Sequence, residues 1–90
     1  MLAPSFTGQF KKDRKRAGKR HWDVAHLDRV IRRLIDGKSL DAKYKAHTLR
    51  GNYDGYSECR SEPDFPLSWY YSGDTDIVFV RTGSHSDLFE

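Results

Sequence analysis

Between Asp23 and Gly37 the apolar residues Val24, Leu27, Val30, Ile31, Leu34 and Ile35 recur at helical spacing, while Arg29, Arg32 and Arg33 fall off that stripe. A helix with one apolar face has to lay it on a second layer, so this stripe constrains the rest of the fold. Asp23 is placed to cap the helix and Gly37 to stop it.

The residues before it, Gly8 to Ala17, are compatible with another helix, with Thr7 available as N-cap and Gly18 weakening the last turn. Its apolar stripe is thin. Joined around His21 and Trp22, the two helices form a basic antiparallel pair. Ala3 to Phe6 reads as a short first strand, which Pro4 places at a sheet edge or a strand start.

The second layer comes from the other half of the chain. Tyr53 to Arg60, Leu67 to Tyr71 and Asp76 to Thr82 are rich in aromatic and β-branched residues, and Ser72-Gly73-Asp74-Thr75 is a hairpin turn between the last two. Short connections make these strands antiparallel. Alternation puts Tyr56, Glu58 and Arg60 on one face of the first strand and Ser57, Cys59 and Ser61 on the other, with Cys59 toward the helices. Ile77 to Val80 is apolar on both parities, as suits a central strand. The expected class is α+β: two N-terminal helices packed on a small, mostly antiparallel β-sheet, with a short C-terminal turn or helix. Ninety residues allow one core, so a single domain over residues 1–90 is expected.

The net charge of +3 conceals an asymmetry. Residues 11–50 carry fourteen Lys and Arg against five Asp, giving +9, whereas residues 51–90 carry two Arg against eight Asp and Glu, giving −6. A surface this basic attracts polyanions, and nucleic acid is the expected partner ahead of an acidic protein. Cys59 is the only cysteine, which excludes an intrachain disulfide and a cysteine-rich metal cluster. The N-terminal segment has no apolar signal region and no run is long enough to span a bilayer, so no membrane association and a cytoplasmic location are expected.

Four histidines need sorting. Their spacing fits no zinc pattern, and no metal or other cofactor is expected. His21 and His26 belong to the helices, where packing explains them. His47 and His85 fall on connecting segments at sheet ends, where side chains are presented to ligands, as does Asp64 after Pro63; Arg60 ends the strand leading to it. Two histidines, a carboxylate and an arginine are sufficient for metal-free RNA cleavage. One group draws the proton from a ribose 2′-hydroxyl, one protonates the departing 5′-oxygen, and the cation steadies the charge on phosphorus. Phe89 is an aromatic suited to stacking on a splayed base. A Cys59 nucleophile paired with His85 is disfavoured because alternation turns Cys59 inward, and no glycine-rich phosphate loop is present.

These residues resemble the RelE-type toxins of bacterial type II toxin–antitoxin systems, and within them the YafQ-like branch. The resemblance runs from Gly8-Gln-Phe-Lys-Lys-Asp13 to Phe89. It rests on His47-Thr-Leu-Arg-Gly51, Gly55-Tyr-Ser-Glu58, Glu62-Pro-Asp64 and Arg81-Thr-Gly-Ser-His85-Ser-Asp-Leu-Phe89, four motifs in order. It implies a ribosome-dependent mRNA endonuclease that cuts in the A site without metal and is silenced by a cognate antitoxin, with operator DNA reached only through that complex. It also implies catalytic roles for His47, Asp64 and His85, with His85 as proton donor and His47 or Asp64 as base. Arg60 stands where the branch often has histidine, and would stabilise the transition state. Phe65 stands where tryptophan is usual. Phe65, Phe89 and Arg81 would position substrate, and Lys11, Lys12, Lys15, Arg16, Lys19, Arg20, Lys43 and Lys45 would grip ribosomal RNA. Two other readings are a catalytically weakened RNA- or protein-binding module of the same fold and a stand-alone ribonuclease.

Overall fold

The computed structural model describes residues 1–49 and 55–89, without the side chains of Asp87 and Phe89. Strand β1 (Ala3–Phe6) leads through Thr7 into helix α1 (Gly8–Lys19), and helix α2 (Val24–Ile35) follows. Thr7 both caps and fastens α1. Its Oγ1 accepts from the Phe10 N–H at 3.0 Å and donates to the Val80 carbonyl at 2.8 Å, while its own N–H donates to the Phe79 carbonyl at 3.1 Å. Helix α1 runs past the expected weak point at Gly18, because Ala17 is buried beneath it and the Arg20 N–H still reaches the carbonyls of Arg16 and Ala17. That packing outweighs the roughly 1 kcal/mol a helical glycine costs. The chain then turns at His21, whose φ of 64° is left-handed.

Helix α2 starts and stops as its sequence predicts. The Asp23 carboxylate accepts from the His26 N–H at 2.9 Å, and Gly37 takes a φ of 72° after the last turn. Arg14 and Asp28 tie the helices together (Nη2–Oδ2 2.6 Å, Nε–Oδ1 3.1 Å), and donating to Asp28 holds the Arg14 guanidinium above its ordinary pKa. Both partners are about half exposed, so the pair is worth at most about 1 kcal/mol.

After a 3-10 turn at Ala42–Tyr44 come strands β2 (His47–Thr48), β3 (Tyr56–Glu62), β4 (Phe65–Ser72) and β5 (Asp76–Thr82), then helix α3 (His85–Phe89). They form one five-stranded sheet in the order β1-β5-β4-β3-β2. Strand β1 lies parallel to β5, and every other pairing is antiparallel. Several boundaries differ from those expected. Strand β2 and the 3-10 turn are too short to leave a periodic signal. Strand β3 runs two residues past Arg60, through a register shift between Arg60 and Glu62, while Tyr53, its expected start, lies outside the described residues. Strand β4 begins at Phe65 instead of Leu67, because Pro66, which lacks an N–H, still pairs opposite Arg60 and accepts from Thr82 Oγ1 at 3.0 Å through its carbonyl.

The helices cover one face of the sheet. Phe10, Leu27, Val30, Cys59, Leu67, Ile77 and Phe79 are each 2% exposed or less, and every such large apolar side chain contributes about 1.5–3 kcal/mol on burial. Burial pushes the Cys59 thiol up to about 12, with the charge of Glu58 adding to the effect. Such a thiol supplies no thiolate near neutral pH, which removes the nucleophile alternative. His26 is also structural: its Nε2–H donates to the Ser61 carbonyl at 2.9 Å and its ring lies 5.8 Å from that of Tyr44.

Candidate active site

The face of the sheet turned away from the helices carries the polar residues, and the strand register lines them up. His47 pairs with Glu58, Glu58 with Ser68, and Ser68 with Arg81, so four side chains from four strands form one row across the sheet. Three strand spacings separate its ends, about 14 Å between backbones. The next row holds Arg60 opposite Pro66. A register shift between Ser68 and Trp69 brings both Val80 and Arg81 to a cavity of about 360 Å³, which Leu49, Tyr56, Glu58 and Ser68 also line. Leu88 of α3 lines it from the C-terminal side.

His47 is half exposed and held in one tautomer. Its Nδ1 lies 2.7 Å from the Lys45 carbonyl, which can only accept, so Nδ1 carries the proton and Nε2 keeps the lone pair in the neutral ring. Nε2 points toward Glu58, with Oε1 at 3.7 Å. Lys45 presents that carbonyl from a left-handed conformation at φ 53°, at the end of the 3-10 turn. Glu58, partly buried, lies on the face that strand alternation predicts for it, and its place in the sequence alone implies no catalytic role. Its only signal was the motif Gly55-Tyr-Ser-Glu58.

His85 and Asp64 meet at the turn between β3 and β4. The His85 N–H donates to the Asp64 carbonyl at 3.2 Å, so the start of α3 is fastened to the two-residue turn between β3 and β4. Both residues are exposed. Arg60 is exposed as well, one row from the turn. The expected substrate contact at Phe89 lies outside the described side chains.

Two expected positioning residues sit differently from one another. Arg81 lines the cavity and is gripped by Asp13, with Nε 2.7 Å from Oδ2. Phe65 is in the core, not the cleft. It is 2% exposed and packs on Trp22 with ring centroids 4.7 Å apart, and a ring whose faces are covered by protein cannot stack on a base. Of the expected RNA-gripping cations, Lys11, Lys12, Lys15, Lys19, Arg20, Lys43 and Lys45 are exposed, Lys43 lying 5.2 Å above the Tyr44 ring. Arg16 bonds Asp13 at 3.0 Å. Among the described residues, no three His, Cys, Asp or Glu side chains gather as a metal site, and no helix is long and apolar enough to cross a membrane.

Known proteins share this architecture. The chain is 41% identical over 85 residues to the mRNA interferase toxin YafQ of Escherichia coli strain K12, covering 93% of this chain and 91% of that protein. It superposes on YafQ in the crystal structure of the E. coli DinJ-YafQ complex with a TM-score of 0.89 at 37% identity, covering the whole of both chains. A metal-bound toxin from Helicobacter pylori gives a TM-score of 0.89 at 34% identity over 99% of this chain and 100% of that one. Residues 2–90 match the family described as the bacterial toxin of type II toxin-antitoxin system, YafQ, and the chain belongs to that family.

Proposed function

We propose that this chain is an mRNA interferase that cleaves ribosome-bound message in the A site by metal-independent general acid–base chemistry, and that a cognate antitoxin silences it. The observation that carries the reading is the tautomer of His47, whose Nε2 lone pair lies 3.7 Å from Oε1 of Glu58, a residue that lines the cavity. In the proposed step, Nε2 takes the proton of a ribose 2′-hydroxyl, and the freed oxygen attacks the adjacent phosphorus in line with the departing 5′-oxygen. His85 gives that oxygen its proton. The products are a 2′,3′-cyclic phosphate and a 5′-hydroxyl end. Glu58 stabilises the imidazolium that forms on His47, and Arg60 and Arg81 offset the charge that builds on the phosphoryl oxygens. The Asp64 carbonyl holds the backbone of His85 in place. The exposed lysines of α1, with Lys43 and Lys45, bind ribosomal RNA.

Support for the partners comes from relatives: E. coli YafQ is described as an mRNA interferase toxin and has been crystallised with DinJ. The test is primer extension on a message in a translating extract. The proposal expects codon-positioned cuts with the wild-type chain, none with His85→Ala, unchanged cutting by a chain dialysed against EDTA and freed of the chelator before it meets the extract, and no comparable cutting of naked RNA. Equal cutting by the His85 variant would overturn the acid–base assignment, equal cutting of naked RNA the ribosome dependence, and loss of cutting by the EDTA-dialysed chain, restored by a transition metal, the metal independence.

A further inference from the structure

Asp13 is an acidic residue inside a run of lysines and arginines, and its side chain has no exposed surface. It reaches from α1 to the end of β5. Oδ2 accepts from Arg81 Nε at 2.7 Å and from the Thr82 N–H at 3.2 Å. Oδ1 accepts from Arg16 Nη2 at 3.0 Å, Gln9 Nε2 at 3.1 Å and Arg81 Nη2 at 3.3 Å. Five donors on one buried carboxylate exceed what docking this helix requires, since Thr7, Phe10 and Ala17 already fasten α1 to the sheet. What the carboxylate adds is an orientation. It holds the Nε–Nη2 edge of Arg81 side-on, which fixes the plane of the guanidinium and leaves Nη1 for another partner. The Arg81 side chain is 38% exposed and lines the cavity beside Ser68, Val80 and Leu88.

We propose that Asp13 is a positioning residue for RNA cleavage, acting through Arg81: it aims the guanidinium at the scissile phosphate before substrate arrives. The inference rests on the reading given under Proposed function. A free arginine samples many rotamers, and ordering it during the reaction would raise the barrier, whereas a donor fixed in advance stabilises the transition state at no such cost. Charge is consistent with this role. Asp13 also bonds Arg16, so the carboxylate that orients Arg81 is itself held by a second cation.

The test is a double-mutant cycle on the full chain, read by single-turnover cleavage at saturating programmed ribosomes, with ribosome affinity measured separately. Asp13→Asn is expected to lower the cleavage rate at least tenfold while affinity changes less than threefold. In the Arg81→Ala background it should change the rate less than twofold, because the residue it acts through is already gone. Losses that multiply in the double variant would make Asp13 merely structural and overturn the proposal. So would an Arg81→Ala chain that cuts at the wild-type rate, a result that leaves the functional reading intact. A wild-type chain that leaves ribosome-bound message uncut overturns both. Should Asp13→Asn fail to fold, the same cycle is run with Asp13→Glu, which keeps the buried charge but displaces the guanidinium.

Discussion

The backbone N–H of His85 donates to the carbonyl of Asp64 at 3.2 Å, joining the first residue of α3 to the turn that links β3 and β4. This bond belongs to the main chain, so either side chain can be changed without breaking it. His85→Ala is therefore expected to keep α3 joined to the turn, as a cooperative melt will show, while lowering ribosome-dependent cleavage by about 10²- to 10⁴-fold, the usual worth of a general acid. Calorimetry and primer extension on the same preparation check both halves.

Glu58 faces His47 across β3 and β2, with 3.7 Å between Oε1 and Nε2. Glu58→Gln keeps the shape and removes the charge that stabilises an imidazolium, and the cleavage rate is expected to fall by about tenfold. The same change made in a His47→Ala chain should add little. Independent losses in single-turnover assays would separate Glu58 from His47.

Cys59 has no exposed surface, and its thiol is pushed up to about 12, by burial first and by Glu58 second. Its folded-state pKa thus lies above the unfolded one, near 9, so as pH rises past that point the unfolded chain releases the proton first. Stability should fall progressively between about pH 9 and about pH 12, at up to roughly 1.4 kcal/mol per pH unit from this group. Urea unfolding of wild type and Cys59→Ala across this range measures the difference, and a disulfide reagent at pH 8 should label the thiol only on unfolding.

Thr7 links the start of α1 to β5 through both faces of one hydroxyl. Thr7→Ala removes the helix cap and the bond to the Val80 carbonyl together, at an expected cost of about 1–2 kcal/mol. The melting temperature should drop by roughly 4–8 °C per kcal/mol for a chain of this size, and Thr7→Ser should restore most of it.

Lys12, Lys15 and Lys19 are exposed on α1. If they contact phosphates of ribosomal RNA, replacing all three by Gln will weaken ribosome binding and flatten its salt dependence, lowering the slope of log K against log salt by about 2 to 3. An unchanged slope would move the RNA contact elsewhere on the surface.

How much of this was legible depended on the range over which each signal acts. The stripe of α2, its caps at Asp23 and Gly37, the inward turn of Cys59 and the alternation of β3 are local or periodic, and they read correctly from residue types alone. Phe65 did not. As an expected substrate-positioning residue beside Pro63-Asp64 it would face the cleft, but past the register shift that follows Arg60 its ring packs on Trp22. Strand β2 escaped because two residues have no period.

Residue types and their spacing are enough to specify the layers: one amphipathic helix with a basic partner, an aromatic and β-branched second half, and a polar C-terminal run from Arg81 to Phe89. Which polar groups share a site is set by how the elements pack. The row His47, Glu58, Ser68 and Arg81 comes from three separate strand pairings, and the grip of Asp13 on Arg81 joins a helix to a strand from opposite ends of the chain. Residue spacing encodes periodicity within an element. Strand register and a buried charge find their partners only when the elements pack, because the hydrogen bonds that select them exist only in the folded chain.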